Sequence, residues 1–150
     1  MNTNISMHFT VEELTVSETA KKYGIDNRPG TQHLINLVYL CAYVLEPLRV
    51  AMKRPIKISS GYRCEALNKK VGGVKYSQHM KGQAADINID GDMAFGRTVF
   101  EYIRKHLNFD QLIWEHSGSV YWVHVSYVYP DFGKNRKQVI ENLVSNRQQF

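Results

Sequence analysis

The densest chemistry in the chain is the run Ser77-Gln78-His79-Met80-Lys81-Gly82-Gln83-Ala84-Ala85-Asp86, in which an imidazole and a carboxylate stand seven positions apart across a glycine and two small residues. That separation is too long for one helical turn and suits a loop ligand followed by a strand ligand. Gly82 lets the backbone turn sharply, and Ala84 leaves room beside a metal ion. On their own, His79 reads equally as a surface loop residue and Asp86 as a strand-end carboxylate. A third group shifts the balance: His124 lies in Tyr121-Trp122-Val123-His124-Val125-Ser126. Strand alternation puts Trp122, His124 and Ser126 on one face and Val123 and Val125 on the other, toward a core. Two imidazoles and one carboxylate leave a fourth tetrahedral position for water, the donor set of catalytic zinc, whereas structural zinc is closed by four protein ligands rich in cysteine.

Hydrolysis at such a site also needs a base that takes a proton from water and passes it to the leaving group. Glu115 is the candidate. A two-residue turn at Ser117-Gly118 pairs Glu115 with Val120, Ile113 with Trp122 and Gln111 with His124, so Glu115 shares the His124 face. A slip of one residue would turn it away and leave Asp110 or His116 as alternatives. Arg63, following Ser59-Ser60-Gly61-Tyr62, offers a planar charged fork for a substrate carboxylate or a developing oxyanion, the alternative being a structural ion pair. Ser77 is a further polar contact for substrate.

Elements must position these groups. Thr10-Val11-Glu12-Glu13 fits a capping box opening a short helix, and Ser17 caps a second that ends near Gly24. Leu34, Leu37, Val38, Cys41, Val44, Leu45 and Leu48 recur at three and four residues, one face of a long helix from Thr31 that Pro47 kinks or whose last turns it marks. Pro55 to Ser60 reads as a short strand, Glu65 to Lys70 as a brief helix before Gly72-Gly73, and Ala84 to Ile89 as a second strand. Asp92 caps a helix to about His106. Gln111 to Glu115 and Val120 to Tyr127 then flank His116-Ser117-Gly118-Ser119 as a hairpin. Helices first and paired strands later predict an α+β fold, a mainly antiparallel sheet with helices packed on one side. Residues 1–150 read as one domain, with the polar segment from about Pro130 an unplaced tail.

With 150 residues, 43% hydrophobic and 22% charged, the chain can bury a core without help from a metal or a disulfide. Cys41 and Cys64 form no CxxC and fit a reduced compartment. The net charge of +5 is scattered apart from Lys134-Asn135-Arg136-Lys137, which argues against a nucleic-acid partner. No stretch is expected to match the roughly 20 apolar residues of a membrane span, and the N-terminus lacks a Sec-type signal. The expectation is a soluble monomer, cytoplasmic as synthesised.

With these residues in view, the sequence resembles the M15 peptidases, the D-alanyl-D-alanine carboxypeptidase and dipeptidase family that also includes phage endolysin domains and shares its fold with hedgehog signalling domains. The resemblance rests on Ser60-Gly61-Tyr62-Arg63, Asn68 with Gly72-Gly73, Ser77-x-His79-x-x-Gly82-x-Ala84-x-Asp86 and Trp122-Val123-His124. Gly24-Ile25-Asp26-Asn27 and Val44-Leu45-Glu46-Pro47-Leu48-Arg49 are similar to the cytoplasmic or phage-type branch. The resemblance implies one zinc ion per chain on His79, Asp86 and His124, Arg63 near the substrate, and peptidoglycan stem peptides as the substrate class. Cleavage would be as a carboxypeptidase or an endopeptidase, in wall metabolism or as a phage or prophage lysis protein. Many relatives place a catalytic glutamate three positions before the last histidine, as Glu-x-Trp-His, where Tyr121 stands here. Either Glu115 supplies the base from the neighbouring strand, or the domain is a zinc-stabilised module that binds peptide or cell wall without hydrolysis.

Overall fold

The computed structural model describes residues 3–145. Ser17 caps α1 (Glu18–Lys22), its hydroxyl accepting from Ala20 N–H at 3.1 Å, as the sequence predicts. The capping box at Thr10 also forms, with Glu13 N–H on Thr10 Oγ1 at 3.2 Å and Thr10 N–H on Glu13 Oε1 at 3.3 Å. No helix follows it: the chain stays in turns from Val11 to Thr15. Leu14 carbonyl accepts from Tyr62 N–H at 2.8 Å, a bond that ties this segment to a distant strand end instead of prolonging a helix.

The long helix is α2 (Thr31–Leu40), a π-helical turn over Cys41–Leu45, and α3 (Glu46–Met52). A prolyl ring clashes with the carbonyl four residues back, here that of Tyr43, and the wider π turn relieves the clash. Glu46 N–H accordingly bonds to Cys41 O, five residues back. The run Thr31–Met52 is long and apolar enough to cross a membrane, with a mean hydropathy of 1.5, which corrects the expectation that no such stretch exists. Most of its apolar stripe is nevertheless core: Leu37, Cys41, Val44, Leu45 and Leu48 are buried, as is Leu40, whereas Val38 is exposed. A helix with one face in a protein interior meets the same length and composition criteria as a membrane span.

Among the described residues five strands form one sheet in the order β1-β2-β4-β3-β5: β1 (Lys57–Ser60), β2 (Ala84–Asn88), β3 (Gln111–Ser117), β4 (Val120–Ser126) and β5 (Gln138–Val144). All neighbours are antiparallel except β3 and β5. The helices cover one face, where Ala85, Ile87, Leu112, Trp114, Val123 and Val125 pack with Leu37, Leu48 and, from α5 (Met93–His106), Val99, Phe100 and Ile103. Alternation leaves Asp86, Ile113, Glu115, Trp122 and His124 for the other face. The remaining elements are α4 (Glu65–Lys70) and a 3₁₀ turn (Gln78–Lys81) that joins β1 to β2.

The hairpin register differs from the expectation by two residues. Ser117 pairs with Val120, so the turn is Gly118-Ser119. Gly118 supplies φ +58° at the first turn position, where a type II′ turn needs a glycine. A shift of two preserves side-chain parity, so Glu115 still faces the His124 side, opposite Trp122. The segment unplaced by sequence contains β5, an added parallel edge strand; residues beyond 145 lie outside the described part of the chain.

Candidate metal centre

Two rows of side chains cross the sheet on its site face. One runs Ser60, Asp86, His124, Ile113, Ile140; the next runs Asn88, Trp122, Glu115, Leu143. Asp86 and His124 are cross-strand partners, and His124 Nδ1 lies 3.0 Å from Asp86 Oδ1. His79 reaches the same point from the 3₁₀ turn, its Nε2 lying 3.3 Å from Asp86 Oδ1. The ligand atoms of all three residues fall within 4.8 Å of one another, and all three side chains are buried. The motif read from sequence therefore converges as expected.

Local structure aims His79. Ser77 caps the turn, its hydroxyl accepting from His79 N–H at 3.2 Å. Gly82 ends it at φ +74°, and a Cβ there would stand 2.5 Å from the carbonyl oxygen of His33; the motif glycine is required both for its left-handed backbone and for close packing on α2. His79 Nδ1 donates to Gly61 O at 2.7 Å, and Arg63 N–H donates to His79 O at 3.0 Å. With Nδ1 carrying the proton, Nε2 presents a lone pair, and this buried atom has no hydrogen-bond partner among the described residues, Asp86 Oδ1 standing 3.3 Å away. Burial, seconded by the Arg63 cation, pushes the His79 pKa down to about 3, so the ring is neutral at physiological pH. An unprotonated, buried nitrogen aimed at a carboxylate and a second imidazole is an unsatisfied arrangement unless a cation sits among them. The donor set fits a metal ion.

The other expected site residues have mixed placements. Glu115 is only 4% exposed yet lines the cleft together with His79 and His124, and its Oε1 accepts from Trp122 Nε1 at 3.2 Å. Asp110 is engaged elsewhere: it accepts from Arg136 Nε at 2.8 Å, Arg136 Nη2 at 2.9 Å and Gln78 Nε2 at 2.8 Å. His116 stacks on Tyr121, with ring centroids 4.6 Å apart, on the helix-covered face by alternation. Ser77 lines the cleft as well as capping the His79 turn. Arg63 is 1% exposed and does not line the cleft; its guanidinium lies by Gly73, where an added Cβ would come 3.0 Å from Nη1.

The cleft has a volume of about 650 Å³. Val74, Tyr76 and Ser77 from the loop before the 3₁₀ turn flank it, together with Ile140, Leu143 and Val144 of β5. Those β5 residues and Arg136 escaped sequence reading; the one available signal was an apolar pair, Val139-Ile140, followed three residues later by Leu143-Val144. The family model described as Peptidase M15 matches residues 7–126, ending with the last residue of β4. No curated protein matches the chain.

Proposed function

The chain belongs to the M15 peptidase family, and we propose that it is a zinc metallopeptidase that hydrolyses peptidoglycan stem peptides, with Glu115 as general base. The observation that carries this reading is the unpartnered Nε2 of His79, 3.3 Å from Asp86 Oδ1, with His124 Nδ1 3.0 Å from the same oxygen. Two imidazole nitrogens and a carboxylate oxygen, all within 4.8 Å of one another, would hold the zinc ion. Two histidines and one aspartate leave a position open, as catalytic zinc does.

His79, Asp86 and His124 would hold a zinc ion, which would supply a Lewis acid for acidifying water and polarising a peptide carbonyl. The chain's own residues do the rest. Glu115, diagonal to His124 across β3 and β4 at a Cβ separation of roughly 7–8 Å, takes the proton of the attacking water and returns it to the leaving amine. Trp122 Nε1 holds that carboxylate in place. Gly61 fixes the tautomer and tilt of His79, and the buried charge of Arg63, which already lowers the His79 pKa, favours negative charge developing at the site. Tyr121, at the position of the relatives' glutamate, faces the helices beside Trp114 and His116, so the base comes from the adjacent strand.

Elemental mass spectrometry on protein purified without chelator, followed by incubation with stem peptides read by mass spectrometry, tests the reading. The expected result is one zinc per chain, lost in His79→Ala, and a cleavage product that requires the zinc. Zinc uptake with saturable peptide binding and no product would make the domain a binding module instead.

A further inference from the structure

One wall of the cleft is built from residues beyond the family match. In regular register with β3, Asn142 would oppose Glu115 and Leu143 would face away from the site. The ladder is instead interrupted by one extra residue: Ile113 pairs with Ile140, yet Glu115 pairs with Leu143. Asn142 absorbs the insertion at φ +61°, a left-handed conformation that asparagine tolerates better than most residues. Bulges of this kind re-aim side chains beside active sites. Here the result is that Ile140 and Leu143 both line the cleft, along with Ile113 and Glu115. Leu143 stands one strand spacing, about 5 Å, from the candidate base, and Ile140 two spacings, about 10 Å, from His124. Leu143 is 39% exposed, so it has apolar surface left to give to a ligand.

The position of this wall is fixed relative to the metal ligands. Asp110 receives two bonds from the Arg136 guanidinium and one from Arg136 N–H, its carbonyl accepts from Gln138 N–H, and its carboxylate accepts from Gln78, the residue before His79. One aspartate thus anchors both the start of β5 and the turn that carries a metal ligand.

We infer that β5 is a specificity wall: Ile140 and Leu143, with Ile113, select an aliphatic side chain on the substrate residue beside the scissile bond. The inference rests on the peptidase reading above and names the part of the substrate that the cleft recognises. The test uses acetylated tripeptides Lys-D-Xaa-D-Ala with Xaa as Gly, Ala or Leu. The zinc-loaded protein should prefer Leu or Ala over Gly in kcat/KM by about tenfold or more, since one or two buried methyl groups are worth that much. In Ile140→Ala and Leu143→Ala the Leu-to-Gly ratio should fall several-fold. A merely structural role for β5 would lower both rates together and leave the ratio intact, which would overturn the inference. If no tripeptide is cleaved, cleavage ahead of a C-terminal D-alanine is excluded, and the peptidase reading is decided separately by the stem-peptide incubation above. The wall is then read from binding: the Leu tripeptide should shift the ¹³C-methyl signals of Ile140 and Leu143 and the Gly tripeptide should not, and unmoved methyl signals overturn it.

Discussion

Glu115→Gln removes a proton acceptor while leaving an amide oxygen for Trp122 Nε1, which now bonds Glu115 Oε1 at 3.2 Å. Since the three ligand atoms come from His79, Asp86 and His124, zinc content should stay at the wild-type level. Peptide hydrolysis should fall by about 10²–10⁴-fold, the usual contribution of a general base. Steady-state rates and zinc per chain, measured on the same preparation, check both halves. Full activity in this variant would remove Glu115 from the mechanism. Neither sequence alternative is poised to take over, because Asp110 is committed to Arg136 and Gln78 and His116 is stacked on Tyr121. The ligands were legible because each relies on local grammar: a glycine-ended turn for His79 and strict strand alternation for Asp86 and His124. Glu115 was legible only through a parity argument, which survived a turn displaced by two residues because an even shift keeps every side chain on its face.

Elements were legible where one strong local signal decides them. Ser17 and Asp92 cap α1 and α5 as expected, each accepting from a backbone N–H three residues on. Pro47 stands in the last turns of its helix as expected, its clash absorbed by a π turn; the signal failed in β5, whose alternation is broken by the bulge at Asn142. A bulged edge strand paired in parallel with β3 leaves no periodic trace in six or seven residues. What holds it is tertiary, the ladder to β3 together with the Asp110 clamp, and the clamp gives it a pH dependence. The Arg136 guanidinium beside Asp110 holds its carboxyl below the usual carboxylate range. A group whose folded pKa is depressed stabilises the docked state above its unfolded value, about 3.9, and loses that contribution as pH falls through the folded value. Hydrogen-exchange protection of Gln138 to Val144 should therefore drop on acidification below about pH 4. The same loss should occur at neutral pH in Asp110→Asn. Arg136 is more than half exposed, so the loss should be modest, about three- to tenfold. Protection unchanged in both conditions would mean that the β3–β5 ladder alone holds the strand.

At the scale of the whole molecule, the metal centre and the hydrophobic core lie on opposite faces of the same sheet. The core is closed by Leu37, Leu48, Val99, Phe100 and Ile103 against Ile87, Val123 and Val125, and none of the three ligands takes part in it. His79 is also held independently of any ion, through Gly61 O, Ser77 Oγ and Arg63 N–H. Chelation should thus leave a folded protein with a lower melting temperature. Zinc at a hundred times its dissociation constant stabilises a native state by about 2.7 kcal/mol through mass action alone. For a chain of this size each kcal/mol moves the midpoint by about 2–4 °C. Calorimetry with zinc at that excess and again with a chelator should give midpoints about 5–10 °C apart, both as cooperative transitions with retained far-UV dichroism. His79→Ala should melt at one temperature under the two conditions, because an ion with two remaining ligands binds too weakly to shift the equilibrium. If chelation abolished the cooperative transition, the ion would be part of the core's support. The centre would then be structural, contrary to the independence of core and ligands on the two faces of the sheet.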